Sequence, residues 1–137
     1  YISHSSHHKH SYYLIRNGEL LGYTETEIEV IANVARYHRK SFPKKKHDNY
    51  RNLITKYHRQ LVTELSAMLR IAVALDRRGM GAVKAVDYYF NGTNQTLHLD
   101  AKAASPLDDC SSEMWNLQDK KIWFEEVFGV KLMAHLN

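Results

Sequence analysis

The sequence predicts an α+β fold, in which a mainly helical part of three helices is followed by a small β-β-α-β unit. Apolar residues recur at three- and four-residue steps in the first part, as on one face of a helix. Residues 83–90 are instead rich in β-branched and aromatic side chains, which is typical of a strand. A glycine-rich joint at residues 79–81 separates the two patterns. We therefore predict one domain over residues 1–78 and a second over residues 82–137.

The first two helices are predicted from their end signals. Ser5 and Ser6 can cap a helix over residues 7–16, which stops at an Asn-Gly pair suited to the left-handed residue that ends helices. Thr24 and Glu27 form a capping box, in which each residue's side chain can bond the other's amide, and this box opens the second helix. A proline shortly after the last apolar repeat stops that helix.

A long third helix is predicted to follow, capped by Asp48 or Asn49 and ending before the glycine joint. Its apolar positions at helical steps are Leu53, Ile54, Tyr57, Leu61, Leu65, Met68, Leu69, Ala72 and Leu75.

The second part begins with a predicted hairpin of residues 83–90 and 96–100, joined by a turn cluster rich in Asn, Gly and Thr. A helix with roughly helical apolar spacing follows and ends at Gly129. Residues 130–136 are predicted to form the last strand.

The charge of the chain is unevenly distributed. The net charge is +4, but residues 1–78 hold 14 Lys and Arg against 7 Asp and Glu, a net +7, while residues 79–137 hold 5 against 8, a net −3. This asymmetry indicates an anionic partner for the first part, with ordinary solvated surface charge as the alternative.

Three further features restrict the class of protein. Cys110 is the single cysteine, so no internal disulfide or zinc knuckle is expected, and a reducing, cytoplasmic setting fits best. No apolar run approaches the roughly 20 residues of a membrane span, so no membrane partner is expected. The chain begins at Tyr1 with no leader sequence, and we expect it to be part of a longer protein.

A basic tract is the strongest candidate binding site. Arg and Lys side chains gathered at a helix end and in the following loop can neutralise closely spaced phosphates, with binding that falls steeply as salt rises. The predicted phosphate-binding residues are Arg36, Arg39, Lys40, Lys44, Lys45, Lys46 and Arg51. Tyr37, Tyr50 and Tyr57 are interleaved with them, and the same surface could bind RNA or DNA.

Histidines and one aspartate form an alternative, metal-binding set. Four histidines lie within residues 4–10, and His38 and Asp76 lie at helical steps on the predicted apolar faces. A hydrolytic metal site would also need carboxylates near the first histidines, and residues 1–18 contain none. Capping, stacking or salt-bridge roles are the alternative reading. No Gly-rich phosphate loop or nucleophile motif is present, so no catalytic residue is predicted.

Four segments together resemble a known family. They are HHKHSYYLI at residues 7–15, GYTE at 22–25, ARYHRK at 35–40 and LRIAVALDR at 69–77. Their order and spacing resemble the C-terminal region of the exopolyphosphatase / guanosine pentaphosphate phosphatase (Ppx/GppA) family. The resemblance is strong over residues 1–78 and loose beyond them.

The resemblance implies a division of labour within a longer enzyme. Actin-like domains upstream would carry a catalytic glutamate and magnesium, so this chain would hold no catalytic residue and no cofactor of its own. The chain would be the end of a helical, HD-like domain plus the small last domain, which hold polyphosphate or guanosine pentaphosphate and build a homodimer. The sequence does not choose between these two substrates.

The HD comparison also gives the alternative functions. His8 or His10, His38 and Asp76 stand where later ligands of an HD-type phosphohydrolase would stand. The family's order puts the first ligand pair before Tyr1, and the dipeptide at residues 47–48 comes too late in the chain, so no two-metal site is expected. An HD-type metal phosphohydrolase remnant and a basic nucleic-acid-binding module stay open as alternatives.

Overall fold

The chain divides into two compact units, an N-terminal unit of residues 1–66 and a C-terminal unit of residues 67–137. The predicted domain boundary at residues 79–81 stays a prediction. The computed structural model describes the backbone of residues 7–10 and, with side chains, residues 11–18, 21–38, 43, 47, 49, 52–53 and 55–137.

The first helix of the N-terminal unit ends at the predicted Asn-Gly pair, although neither residue adopts the left-handed conformation, and the second helix begins at the predicted capping box. Helix α1 covers His7–Asn17, and the Gly18 amide donates to the carbonyl of Leu14 at 2.9 Å. Helix α2 covers Glu25–Tyr37, and its capping box is formed by both predicted hydrogen bonds. The predicted caps of α1 at Ser5 and Ser6 lie outside the described residues.

Helix α3 covers Lys56–Leu75, and its predicted start at Asp48 or Asn49 is wrong. The Oγ1 atom of Thr55 accepts the amide of His58 at 3.1 Å, so the helix is capped at Thr55. The apolar pattern extends further back to Leu53, but Leu53 packs into the core from outside the helix.

The buried face of the last part of α3 also differs from the predicted one. Ala67, Ile71 and Ala74 enter the core of the C-terminal unit, while Leu69 and Ala72 are exposed. Asp76, predicted to continue the Leu69 and Ala72 face, follows the end of the helix and is exposed.

The C-terminal unit has the predicted β-β-α-β order. Strand β1 covers Val83–Asn91, β2 covers Thr96–Ala103, helix α4 covers Ser111–Phe128 and β3 covers Lys131–Leu136. The sheet order is β1-β2-β3, with β1 and β2 antiparallel and β2 and β3 parallel. The α+β class is therefore confirmed, with a helical part followed by a small β-containing unit.

The end of α4 shows why the sequence places a glycine there. Gly129 has φ of +64° and donates its amide to the carbonyl of Glu125 at 2.9 Å. An L side chain is strained in this left-handed conformation, so glycine is the residue best suited to it. The turn then delivers the chain into β3.

Each unit has its own apolar cluster. Buried residues of the N-terminal cluster are Val30, Tyr37, Leu53 and Val62. Buried residues of the C-terminal cluster are Ala67, Ile71, Ala74, Leu117, Phe124 and Leu132. Among the described residues, no helix is both long and apolar enough to cross a membrane.

Candidate functional site

Arg36 is the member of the predicted basic tract that the structure describes. It lies in the last turn of α2 and is half-buried. A cation at this place interacts favourably with the negative end of the helix dipole. The other six predicted residues lie outside the described residues: Arg39, Lys40, Lys44, Lys45, Lys46 and Arg51.

The Arg36 guanidinium is held by neutral groups. One of its amino groups donates to the side-chain oxygen of Asn49, and its central carbon lies 5.4 Å from the centre of the Tyr37 ring. Within the described part of the chain, no carboxylate pairs with Arg36, and its Nε is buried without a hydrogen-bond partner. Among the described residues, the positive charge of Arg36 therefore has no carboxylate partner.

Tyr37 serves the core rather than the surface of the basic tract. Its side chain is fully buried in the apolar cluster with Val62. Its hydroxyl accepts the Asn49 amide at 3.1 Å and shares a 2.6 Å hydrogen bond with Nδ1 of His47. Of the other two interleaved tyrosines, Tyr57 is exposed, and Tyr50 lies outside the described residues.

A pair of buried asparagines connects α2 to the chain that follows it. Asn49 donates to the Oδ1 of Asn33 at 2.7 Å, and Asn33 donates to the backbone carbonyl of Asn49 at 3.2 Å. Asn33 also donates to the carbonyl of Glu29 at 2.9 Å. Because both asparagines are buried, these hydrogen bonds replace water that the amides cannot reach. No local motif indicates this pair, because its two members are 16 residues apart.

The network continues to a buried carboxylate on α2. Glu29 accepts from the Tyr12 hydroxyl at 2.6 Å and pairs with Arg16 at 2.7 Å. Burial, and after it the hydrogen bond to Glu29, raise the pKa of Tyr12 to about 12. Arg16 also pairs with Glu25 at 3.1 Å, so its charge is compensated within the unit.

A cavity of about 200 Å³ lies beside this ion pair. Two carboxylates and one guanidinium contribute to its walls. Because the carboxylates outnumber the guanidinium, the cavity is not a cationic site for phosphate. Its lining residues are Arg16, Glu25, Thr26, Glu29, Asn52 and Leu53.

A second arginine counted in the basic half is also compensated. Arg78 pairs with Glu113 at 2.8 Å and with Asp108 at 2.9 Å. The hydrogen bond from Arg78 lowers the pKa of Glu113. The Cys110 amide, followed by Arg78, lowers the pKa of Asp108. The charge count of residues 1–78 therefore overstates the positive charge that is open to a ligand.

Of the alternative metal ligands, the structure describes the side chains of His38 and Asp76. His38 is half-buried at the C-cap of α2 and donates from Nδ1 to the carbonyl of Ala35, while Asp76 belongs to the other unit. The side chains of His8 and His10 lie outside the described residues. No group of three or more His, Cys, Asp or Glu side chains within the described ranges could hold a metal ion.

Comparison with known proteins identifies the region to which these residues belong. The family model described as Ppx/GppA phosphatase, domain III, matches residues 1–121. The matched range includes all four segments on which the sequence resemblance was based. No curated protein sequence matched the chain.

Proposed function

Because this chain belongs to the Ppx/GppA phosphatase family, through its domain III, we propose that it is a non-catalytic C-terminal region that holds polyphosphate and contributes to a homodimer. The parent enzyme would be an exopolyphosphatase or a guanosine pentaphosphate phosphohydrolase of the cytoplasm. Its upstream domains would supply the catalytic glutamate and magnesium.

The family match over residues 1–121 is the observation that carries this proposal. The charge of the N-terminal unit supports it, since residues 1–66 hold 11 Lys and Arg against 6 Asp and Glu, a net +5. A polyanion is the ligand class that such a charge attracts.

The contacts around Arg36 support a location for the binding surface. The cations at residues 39–46 follow α2 in the sequence and precede His47. His47 lies with its ring 5.7 Å from the Tyr37 ring at the end of α2, and Asn49 is bonded to Asn33. The described residues that flank these cations, His38 and His47, thus both lie at the carboxyl end of α2, which also carries Arg36.

Filter binding of labelled polyphosphate to the full chain across a salt series tests the proposal. Replacing Lys44, Lys45 and Lys46 together by Ala is expected to weaken binding. If all three contact phosphates, the slope of log affinity against log salt should also become less steep by roughly 2, taking a single-stranded polyanion as the reference. Absence of binding by the unmodified chain at low salt would contradict the proposal.

The matched control replaces three exposed lysines of the C-terminal unit by Ala. These residues are Lys84, Lys102 and Lys131. The control removes the same formal charge, so the proposal requires that it keep the affinity and salt slope of the unmodified chain. An equal loss in both triple variants would mean that net charge, rather than this surface, governs binding.

Competition distinguishes polyphosphate from the other anionic ligands. Unlabelled polyphosphate, guanosine pentaphosphate and single-stranded RNA are added at equal phosphate concentration to the labelled complex. The proposal expects polyphosphate to displace the label better than RNA. Preferential displacement by RNA would favour the nucleic-acid-binding alternative.

A further inference from the structure

The two edges of the C-terminal sheet are protected differently. The order β1-β2-β3 makes β1 and β3 the edge strands. At β3, Lys121 of α4 donates to the carbonyl of Leu132 at 3.0 Å, and the Leu132 amide donates to Glu125 at 2.8 Å. Side chains of α4 thus occupy edge groups of β3 that would otherwise be open to another strand.

Among the described residues, strand β1 has no comparable cover. In the part of the chain that the structure describes, no group from outside the hairpin hydrogen-bonds to β1. The strand is nine residues long and exposes Val86 by 41%, Tyr88 by 79% and Phe90 by 46%. A long edge strand with exposed apolar side chains is a template for pairing with another strand.

The exposed side chains of Tyr88 and Phe90 lie on the face of the sheet that packs against α4, but outside the part that α4 covers. Tyr88 lies opposite Leu99 and Phe90 opposite Leu97 in the antiparallel register, so these side chains share one face of the sheet. Leu97 and Leu99 pack against the core that includes α4. The apolar face of the sheet therefore extends beyond the helix on the β1 side.

We propose that β1 pairs antiparallel with β1 of a second copy of this chain, about a two-fold axis at Tyr88. The two three-stranded sheets would then form one continuous sheet across the dimer. This inference rests on the proposed function, which includes a homodimer. It specifies the strand through which the two copies contact each other.

The sequence of β1 is complementary to itself in this register. Tyr88 faces Tyr88 of the second copy, and Val86 faces Phe90 of the second copy, so aromatic and β-branched side chains pair on one face. On the other face Asp87 lies opposite Tyr89 of the second copy instead of another Asp87. A register centred on Asp87 would oppose two carboxylates, which is destabilising.

The charge of the unit also permits association with its own copy. Residues 67–137 hold 8 Lys and Arg against 9 Asp and Glu, a net −1, so two copies repel each other weakly. Lys102 lies 3.9 Å from Asp87 and offsets the carboxylate nearest the axis. The N-terminal unit has a net charge of +5, so two copies of that unit repel each other more strongly.

Sedimentation of the full chain over a concentration series into the high micromolar range tests the inference. Tyr88→Lys places two like charges opposite each other at the axis and is expected to raise the dimer dissociation constant by at least about tenfold. Tyr57→Lys is the matched control, because Tyr57 is 70% exposed, close to the 79% of Tyr88, but lies on α3. The control should associate like the unmodified chain.

A disulfide trap tests the register. Tyr88→Cys brings two cysteines together at the axis, where opposed Cβ atoms lie about 4.5–5.5 Å apart, and should give a covalent dimer under mild oxidation. The native Cys110 is buried and does not compete. Tyr57→Cys, at the exposed control position on α3, should stay monomeric on a denaturing gel.

The outcomes separate this inference from the proposed function. A chain that is monomeric at all concentrations overturns the inference. A dimer that survives Tyr88→Lys and yields no Tyr88→Cys disulfide also overturns it, since another surface must then associate. Polyphosphate binding by the same variants is measured in parallel, and its presence or absence decides the ligand-binding proposal independently.

Discussion

The two units differ in how their buried polar groups are paired. In the N-terminal unit the buried Asn33, Asn49 and Glu29 form a hydrogen-bonded network beside the apolar cluster. In the C-terminal unit the core is apolar, and Glu113 is a buried carboxylate paired with Arg78 beside that core. Apolar packing stabilises without direction, whereas hydrogen bonds also fix geometry. The N-terminal unit, which is proposed to position cations, thus has more buried hydrogen bonds that fix the geometry of its interior.

The largest expected effect tests the apolar side of this comparison. Leu132→Ala removes a fully buried side chain of β3 and should lower the free energy of unfolding by about 2–5 kcal/mol. Met133→Ala, at an exposed neighbouring position, should cost clearly less. Both tryptophans, Trp115 and Trp123, lie in the C-terminal unit, so urea unfolding followed by tryptophan fluorescence measures this loss there.

The next effect tests the polar side. Asn33→Ala removes the donor to the buried backbone carbonyl of Asn49 and the acceptor of the Asn49 side-chain amide, which should cost about 1–3 kcal/mol. Helical circular dichroism records the loss in both units, and tryptophan fluorescence records the C-terminal one. An exposed turn variant, Asn94→Ala, should be nearly neutral. If Asn33→Ala shifts the unfolding midpoint equally by fluorescence and by circular dichroism, the two units unfold together. The difference between the units would then concern their packing and not their separate stabilities.

A smaller effect concerns the start of α2, on which the network is built. Thr24→Ala removes the acceptor for the Glu27 amide and should cost about 1 kcal/mol, as for other N-caps. Thr26→Ala, two residues later on the exposed surface, should stay within about 0.5 kcal/mol. Thermal unfolding followed by circular dichroism compares them. Equal losses in the two variants would show that the box contributes little.

The smallest effect is a dependence of stability on pH, which is absent at neutral pH. Stability is lost at alkaline pH in the N-terminal unit and at acid pH in the C-terminal unit. The pKa of Tyr12 is raised from 10.0 to about 12, so the stability it contributes is present below pH 10 and is lost as pH rises towards 12. The pKa values of Asp108 and Glu113 are lowered, so their contribution is present above the ordinary carboxyl range and is lost as pH falls through it.

Two substitutions separate these pH effects. Tyr12→Phe should flatten the alkaline loss of stability and leave the acid loss unchanged, while Glu113→Gln should flatten the acid loss alone. Urea unfolding at a series of pH values measures both. An alkaline loss that persists in Tyr12→Phe would assign it to another group.

Local signals in the sequence were sufficient for most of the fold. The capping box at Thr24, the hairpin and the end of α4 at Gly129 are all confirmed. Each depends on residues within a few positions of one another, where side-chain and backbone preferences act directly. Parallel pairing of β2 with β3 is instead a long-range contact that no short motif specifies.

The errors arose where distant contacts decided the outcome. The apolar periodicity and the capping preference of Asp48 or Asn49 predict a start of α3 at residues 48–49, but Asn49 is bonded to Asn33 and Tyr37, and the helix starts only after Thr55. Tyr37 seemed part of a basic surface, but its ring is buried in the core. The phosphate-binding residues beyond Arg36 stay a prediction, because they lie outside the described part of the chain.

The mixed sheet implies an order of assembly. Strands β1 and β2 are joined by a short turn, and such a hairpin forms in about 1–10 μs. Strand β3 can pair with β2 only after α4 has been synthesised, because a parallel neighbour needs a crossover. During translation, the nascent C-terminal unit therefore exposes hydrophobic surface until Leu132 has left the ribosome, and we expect chaperones to recognise it in that interval.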